Sequence, residues 1–339
     1  MKLLTYDTGT GPRCGVLQDD QVLDVTALLG AGHTLRDVRA LLELGDAPLD
    51  RVREALAKNV PAPHVPLAHV RLRSPVLQPP TVRDFMVFEE HATGQGTRQQ
   101  VDVWYRMPIF YFSNTLRIFG PDEIVPMPSA SDMLDYEFEL GCVISRDGSN
   151  VREANALDYI AGFCIFNDWS CRDLQFDEMA ARLGPAKGKD AATSLGPWLV
   201  TPDELASSWR DGRLHITCNA KINGDVWLHN SDAGVSYHTW GALIERASWD
   251  SRIAPGDVLG TGTVGGGSIG EAIRKGYEKA RFLQPGDVVE LEAEVIGTLR
   301  NTIGPKINDD PHYRYRAKEQ PALPERGIAK DYRYALKVR

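Results

Sequence analysis

Three short segments of the chain bring together four carboxylates and one imidazole. The segments are RDFMVFEEHATG, LDYEFELGCVI and FNDWSCRDLQ, and the residues are Asp84, His91, Glu137, Glu139 and Asp168. Oxygen-rich sets of this kind suit a hard divalent cation such as Mg²⁺, Ca²⁺ or Mn²⁺. The imidazole would then remain free for proton transfer.

The segment DYEFELGCVI alternates between acidic and apolar residues. On a strand, Glu137 and Glu139 would share one face with Asp135, while the apolar residues face the other way. Two carboxylates on one face repel each other unless water or a cation lies between them. For this segment alone a solvated strand face is the preferred interpretation, and a cation site is the alternative.

Asp168 follows an apolar run, at a point where the pattern predicts a helix. Asp168, Arg172 and Gln175 have the spacing i, i+4 and i+7, which would place them on one helical face. In one interpretation Asp168 caps the helix and pairs with Arg172. In the other, Asp168 is a metal ligand and the two following side chains are donors beside it. The segment does not decide between them.

Three further segments carry weaker signals. His91 lies between the strand-like DFMVF and the glycine-containing ATGQG, which fits either a surface histidine or a mobile lid over a substrate. LGPAKGKDAATSLGPW carries Lys187 and Lys189, whose simplest interpretation is two exposed lysines. GTGTVGGG has the GxGxxG spacing without a βαβ unit, so we predict a loop whose backbone amides approach a substrate.

Composition narrows the class of protein. The chain has 339 residues, 42% hydrophobic and 25% charged, with a formal net charge of -8. This charge disfavours nonspecific partners such as nucleic acid and anionic membranes, and no apolar run approaches the roughly 20 residues that span a bilayer. The five cysteines form no CxxC pair. We therefore expect a cytoplasmic protein without a disulfide framework or a zinc site.

The elements that must position these residues form a β-rich α+β fold. Residues 1–78 are predicted to be a small N-terminal domain with a Pro-rich linker, made of strands LLTYD, CGVLQ and QVLDV and two helices capped by Thr34 and Asp50. Residues 79–304 are predicted to be the main domain, rich in strands without regular βαβ alternation. Residues 305–339 are predicted to be an extended basic tail.

Five motifs, in this order, resemble the fumarylacetoacetate hydrolase family. They are RDF-x5-HATG, DYEFEL, NDWSCRDLQ, LGPAKGKDAATSLGPW and GTGTVGGG, within residues 79–304. The resemblance implies a catalytic domain with a mixed β-roll or barrel-like sheet and a smaller, variable N-terminal domain. It also implies a homodimer and a small-molecule oxo-acid substrate.

The resemblance implies a role for each matching position. The implied metal ligands are Glu137, Glu139 and Asp168, with Asp84 as a fourth. The implied catalytic residues are His91 as base, Glu271 as its partner with Glu90 in reserve, and Arg172, Gln175 and Lys189 as stabilisers of negative charge. Thr193 would lie near the metal, and Tyr111, Arg98 and Thr263 would contact substrate.

The implied reaction is hydrolysis of a carbon–carbon bond in a 1,3-diketone acid, with a divalent cation as cofactor. Mg²⁺ is favoured over Ca²⁺ and Mn²⁺. The same site could instead serve decarboxylation, hydration or tautomerisation, because each passes through an enolate, and a metal-stabilised scaffold without activity is a further alternative.

The chain departs from the eukaryotic hydrolases of the family at two positions. Met86 stands where they have a tyrosine, and Gln100 lies near the position of their carboxylate-binding arginine, although Arg98 is close. We therefore predict a poor fumarylacetoacetate hydrolase. An apolar acyl chain beside Met86, Phe88 and Trp104 is the preferred alternative.

Overall fold

The computed structural model describes residues 1–94, 96, 99–308 and 310. The first eleven strands are β1 Lys2–Asp7, β2 Arg13–Gln18, β3 Gln21–Asp24, β4 His64–Pro66, β5 Arg71–Arg73, β6 Val82–Phe85, β7 Phe110–Phe112, β8 Ile118–Phe119, β9 Ile124–Met127, β10 Leu134–Asp135 and β11 Phe138–Ile144. The remaining strands are β12 Ile160–Asp168, β13 Ser170–Cys171, β14 Thr193–Val200, β15 Trp209–Arg210, β16 Arg213–Leu214, β17 Thr217–Ile222, β18 Asp225–Asp232, β19 Val258–Gly260, β20 Val288–Ala293 and β21 Gly297–Lys306.

The helices are short and lie between the strands. They are α1 Val25–Leu29, α2 Val38–Leu42, α3 Asp46–Ala57, α4 Glu89–Ala92, α5 Asp102–Arg106, α6 Arg172–Ala180, α7 Trp240–Ser248 and α8 Ile269–Arg274. In the part of the chain that the structure describes, 3₁₀ helices cover Leu67–His69, Glu153–Tyr159, Lys187–Lys189, Pro202–Ser208 and Ala233–Val235. Within the described residues, no helix is long and apolar enough to cross a membrane.

Two main sheets organise the described residues, beside two short two-stranded sheets, β10-β13 and β15-β16. The larger has twelve strands in the order β4-β3-β2-β1-β14-β12-β11-β19-β6-β7, with β5 added to β1 and β8 to β14. The smaller has five strands in the order β18-β17-β20-β21-β9. Parallel and antiparallel pairs occur in both, and pairings among the described residues leave the larger sheet open rather than closed as a barrel. The predicted β-rich α+β fold is confirmed.

Strands β11 and β12 form the centre of the larger sheet. They pair antiparallel, and every residue of both is buried. The predicted alternation holds, because the apolar set joins one hydrophobic core: Tyr136, Phe138, Leu140, Cys142 and Ile144. The polar face of the same segment is buried too, so the predicted solvated face is wrong and its carboxylates need partners.

The first strands extend the larger sheet. Strand β1 pairs antiparallel with β14 at Lys2 and Leu3. Leu3 and Val38 share a hydrophobic core with Phe166 and Leu195 of β12 and β14. Sheet and core are therefore continuous from the first strand to the centre of the molecule. The division at residue 78 stays a prediction, and the tail predicted for 305–339 lies outside the described residues beyond 308, except for 310.

Both predicted helix caps in the N-terminal segment are wrong. Helix α2 is capped not by Thr34 but by Asp37, whose carboxylate accepts a first-turn backbone amide 2.9 Å away. Helix α3 begins at Asp46, so Asp50 lies inside it. Pro48 lies in the first turn of α3, where proline is tolerated because its missing N–H has no partner to lose.

Candidate active site

Three buried carboxylates meet on β6, β11 and β12, which are near neighbours in the larger sheet, with β19 between β6 and β11. Asp84 is in β6, Glu139 is in β11, and Asp168 is the last residue of β12. Each offers an oxygen within 4.8 Å of the other two. One oxygen of each carboxylate is buried without a hydrogen-bond partner: Asp84 Oδ1, Glu139 Oε1 and Asp168 Oδ1. Oxygens that are close together, buried and unpaired fit a divalent cation.

The electrostatics of these three residues, the carboxylate triad, agree with that fit. Burial raises the pKa of Glu139 well above its usual range, and the neighbouring Asp84 and Asp168 raise it further. Burial also raises the pKa of Asp168, against the opposing effect of Lys189. Burial and mutual repulsion oppose ionisation of all three carboxylates, and Lys189 offsets only part of this cost, so the triad needs further positive charge. A bound divalent cation would supply it.

Glu137, the other predicted ligand, has a different environment. Its Oε1 lies 2.7 Å from Arg172 Nη2, and its Oε2 contacts Lys189 Nζ. Burial alone would raise the pKa of Glu137, but Arg172, Lys189 and His91 together lower it strongly. The structure places Glu137 outside the triad, with two cations already neutralising it. A ligand role for Glu137 stays a prediction.

The two lysines of the glycine-rich loop differ sharply. Lys187 is exposed, as the simplest interpretation expected, whereas only 3% of the Lys189 side chain is exposed. Lys189 Nζ lies 2.5 Å from Asp168 Oδ2 and 2.6 Å from Ser170 Oγ, besides its contact with Glu137. A buried ammonium needs carboxylate partners, and the acidic cluster provides them.

The predicted helical face of Asp168, Arg172 and Gln175 is only half present. Asp168 ends β12, and helix α6 begins at Arg172, so Asp168 neither caps the helix nor pairs with Arg172. The guanidinium instead lies 2.7 Å from Asp135 Oδ2, and its Nη1 donates to Gln175 Oε1 at 2.8 Å. Arg172 therefore reaches the site beside Gln175, as predicted.

Asp135 is a site residue whose importance the sequence reasoning missed. Besides Arg172, its carboxylate accepts the amides of Ile269 at 2.7 Å and Gly270 at 3.0 Å, at the start of α8. It therefore joins α6 to α8, the helix that carries Glu271. The signal was available, since Asp135 shares its strand face with Glu137.

His91 lies in α4 and contacts two carboxylates. Its Nδ1 is 3.1 Å from Glu271 Oε2, an ion-pair distance without the alignment of a hydrogen bond, and its Nε2 is 3.6 Å from Glu137 Oε1. Glu271 is fully buried and accepts from Ser268 Oγ at 3.0 Å. The reserve candidate, Glu90, pairs with Lys275 instead. Of the two glutamates, the structure therefore brings Glu271 to His91.

Tyr111 and Thr193 flank the triad. The Tyr111 hydroxyl donates to Asp84 Oδ2 at 2.6 Å and also contacts Asp168. Thr193 faces Asp168 across the β12–β14 pairing. Both residues therefore lie where a cation held by the triad would be close.

The glycine-rich loop after β19 closes over the triad. The Gly262 amide donates to Glu139 Oε2 at 2.8 Å, and a Cβ on Gly262 would lie 2.4 Å from the Phe85 carbonyl oxygen. The close backbone approach predicted for this loop is therefore made to a carboxylate of the site. Thr263 beside it is buried with an unpartnered hydroxyl. Arg98, predicted to contact substrate, lies outside the described residues.

A cavity of about 290 Å³ opens onto these groups. Its wall includes Asp84, Glu139, His91 and Thr263, so the predicted base shares one space with two carboxylates of the triad. Met86 also lines it, as predicted. Phe88 and Trp104 do not belong to the described wall, because both rings are buried in the protein interior.

Comparisons with known proteins agree with this architecture. A maleylpyruvate hydrolase of Aquipseudomonas alcaligenes is 33% identical over 302 residues, covering 85% of this chain and 94% of that protein. A mitochondrial oxaloacetate tautomerase of Xenopus laevis is 30% identical, covering 78% of each chain. A solved maleylpyruvate hydrolase from Sphingobium sp. SYK-6, in complex with manganese(II) and pyruvate, has the same fold, with a TM-score of 0.68, 21% identity and coverage of 90% of this chain and 100% of that one.

The family model described as fumarylacetoacetate (FAA) hydrolase C-terminal matches residues 81–304, which contain the triad, His91, Lys189 and Glu271. The chain belongs to the fumarylacetoacetate hydrolase family.

Proposed function

We propose that this protein is a divalent-cation-dependent hydrolase that cleaves a carbon–carbon bond in a 2,4-dioxo acid, the 1,3-diketone acid expected from the sequence. One observation carries the proposal: His91, in contact with the buried Glu271, lines the same cavity as Asp84 and Glu139 of the carboxylate triad. A cation site alone needs no such imidazole. The relative named maleylpyruvate hydrolase supports the same class of reaction.

The triad residues Asp84, Glu139 and Asp168 would hold the cation, with Glu137 as a further candidate. When bound, the cation supplies Lewis-acid polarisation and orients neighbouring substrate oxygens. Mg²⁺ is the favoured ion. Mn²⁺ is the first alternative, because the Sphingobium enzyme of the same fold holds manganese(II).

The chain's own residues supply the proton transfers. His91 takes a proton from water while Glu271, 3.1 Å away, orients the imidazole and stabilises its charged form. The water oxygen adds to the distal carbonyl carbon. The bond between that carbon and the methylene carbon then breaks, and its electron pair remains on the methylene carbon as the enolate of pyruvate.

The negative charge that develops on substrate oxygens needs fixed donors. Lys189 lines the cavity, and Arg172 lies against Gln175, which also lines it. Preorganised donors of this kind stabilise charge more than water does, because they need no reorganisation during the reaction. The proton that His91 took from water then passes to the methylene carbon of the enolate, which restores the neutral imidazole and gives one pyruvate and one carboxylic acid for each water consumed.

Tautomerisation of an oxo-acid is the second candidate. The relative named oxaloacetate tautomerase favours it. The same imidazole, beside the triad, could move a proton between carbon and solvent without any added water. The two reactions differ in their products, since tautomerisation breaks no carbon–carbon bond.

Product analysis tests the proposal. The protein is stripped of metal with a chelator, reloaded with Mg²⁺, Mn²⁺ or Ca²⁺, and incubated with a 2,4-dioxo acid or with oxaloacetate. We expect equal amounts of pyruvate and a carboxylic acid from the dioxo acid, only after reloading. Enol–keto exchange of oxaloacetate without cleavage of the dioxo acid would support the second candidate. No metal-dependent turnover of either would support the inactive scaffold.

A further inference from the structure

The wall of the cavity is charged and buried at its base, and apolar and exposed at its mouth. Four charged residues of the wall are buried, with at most 4% of each exposed: Asp84, Glu137, Glu139 and Lys189. Four apolar side chains that line the same cavity are 36–88% exposed, which places them at its mouth: Met86, Ile109, Met179 and Leu183. A substrate that reaches the base therefore leaves its other end among apolar groups.

One face of α6 shows the same gradient. Arg172, Gln175 and Met179 have the spacing i, i+3 and i+7, so they follow one another along one side of the helix. Arg172 is buried against carboxylates, Gln175 is intermediate, and Met179 is half exposed. The helix thus presents a guanidinium near the acidic cluster and a thioether where the far end of a substrate would lie.

The charges around the cavity mouth determine whether the outer end of the substrate can carry a carboxylate. Among the described residues that line the cavity, the basic side chains are Lys189 and His91, and both are held by buried acids. Lys189 contacts Asp168 and Glu137, and His91 contacts Glu271. A carboxylate at the mouth would lose water without gaining a counter-charge from these residues, which disfavours its binding. A methyl group would lose nothing and would pack against thioether and alkyl side chains.

We infer that the substrate's acyl group ends in a short, uncharged apolar chain, and that Met86 and Met179 are the residues that select it. The cavity volume of about 290 Å³ lies at the lower end of ligand pockets, roughly 300–1,000 Å³, which limits the chain to a few carbons. The inference rests on the proposed function for its turnover measurement, but not for its binding measurement.

The test uses matched substrates. Two 2,4-dioxo acids of equal length, one ending in methyl and one in carboxylate, are compared by kcat/KM with the metal-loaded protein. Two 2-oxo acids with the same pair of ends are compared by calorimetric Kd, because they lack the second carbonyl and are not cleaved. We expect the methyl-terminated member of each pair to be preferred by at least about tenfold.

Lysine variants at the cavity mouth test which residues cause the preference for the methyl-terminated acid. Met179→Lys places a cation at the mouth and is expected to reduce or reverse the preference for the methyl-terminated acid, and Met86→Lys places the same charge there from another segment. The matched control is Phe176→Lys, on the same helix, because Phe176 is 56% exposed and lies outside the described cavity wall. In the control variant, the ratio of kcat/KM values and the ratio of Kd values for the two ends are each expected to stay within about twofold of wild type.

The outcomes separate this inference from the proposed function. If the protein prefers the methyl-terminated acid in kcat/KM and in Kd, the result supports both the apolar mouth and the proposed hydrolysis. Preference for methyl in binding, without cleavage of either dioxo acid, supports the apolar mouth and rejects hydrolysis. Equal or tighter binding of the carboxylate-terminated oxo acid overturns the inference whether or not cleavage occurs, and so does a preference that neither lysine variant changes.

Discussion

At the scale of single residues, the central distinction is between proton transfer and cation binding. His91→Asn removes the imidazole base but none of the triad carboxylates. We expect turnover to fall roughly 10²–10⁴-fold, the usual contribution of a general base, while calorimetric cation affinity changes little. A matching loss of cation affinity would assign His91 to the cation site instead.

Glu139 and Glu137 test which carboxylates hold the cation. Glu139 carries an unpartnered buried oxygen, whereas both oxygens of Glu137 contact cationic side chains. Glu139→Gln should therefore lower cation affinity by more than tenfold and abolish the rise in melting temperature on adding the cation. Glu137→Gln is the comparison. An equal loss of cation affinity in Glu137→Gln would make Glu137 a ligand. An unchanged cation affinity in Glu139→Gln would show that the triad does not hold the cation.

The sequence predicted which residue types form the site, but it did not predict which carboxylate would contact which cationic side chain. Alternation in DYEFELGCVI placed Glu137 and Glu139 on one face, and both residues line the same cavity in the structure. Strand spacing cannot say which carboxylate meets a cationic side chain from a distant loop. Lys189 and Lys187 look alike in sequence, yet one is buried in the acidic cluster and the other is exposed.

At the scale of elements, the glycine-rich loop after β19 should be sensitive to a single methyl group. Gly262 has a left-handed φ of 81°, and a Cβ there would lie 2.4 Å from the Phe85 carbonyl oxygen. Gly262→Ala should destabilise the protein by about 1–3 kcal/mol and weaken cation binding through Glu139. Gly276→Ala is the control, since its φ is 72° but nothing lies within 4 Å. Equal unfolding free energies of the two variants in urea would contradict this account.

The turn from β3 into α1 provides a test of pH dependence. Asp24 accepts from Tyr6 at 2.8 Å, Arg13 at 2.6 Å and the Ala27 amide at 2.9 Å. Burial alone would raise the pKa of Asp24, but these hydrogen bonds lower it overall. The ionised carboxylate therefore stabilises the folded state above the unfolded pKa of about 3.9, and this stability is lost as pH falls through the lower folded pKa.

Asp24→Asn measures that contribution. At pH 7 we expect it to lower the unfolding free energy by about 1.5–3 kcal/mol, the range for hydrogen bonds to a charged group. The difference from wild type should shrink as the pH falls below about 4. Asp50→Asn, at an exposed carboxylate paired with Arg53, is the control and should change little. A difference that stays constant with pH would show that ionisation of Asp24 is not the cause.

Helix starts were the least predictable feature at this scale. Threonine and aspartate both favour N-caps, so the choice between Thr34 and Asp37 depended on which oxygen reaches a first-turn amide. Asp168 was predicted to begin a helix, but its backbone continues as strand because it pairs with Thr193 of β14. Pairing with a distant strand leaves no local signal in the sequence.

At the scale of the whole molecule, sheet and core run without a break from β1 to the site. Because β1 pairs with β14, and β14 pairs with β12, the N-terminal strands support the strand that ends in Asp168. We expect one cooperative transition in calorimetry for the metal-free protein. Two transitions would instead support independent folding of residues 1–78. The strands of that segment were predicted from the sequence, whereas their junction with β14 depends on a contact almost 200 residues away.

The measurement that tests the account most directly is cleavage of a methyl-terminated 2,4-dioxo acid in H₂¹⁸O by the metal-loaded protein. The proposed function predicts one pyruvate for each carboxylic acid released and one ¹⁸O atom from solvent in that acid, with no reaction after the metal is removed. His91→Asn should slow ¹⁸O incorporation and product release together. Exchange between keto and enol forms, with the carbon chain intact and no ¹⁸O-labelled acid formed, would contradict hydrolysis.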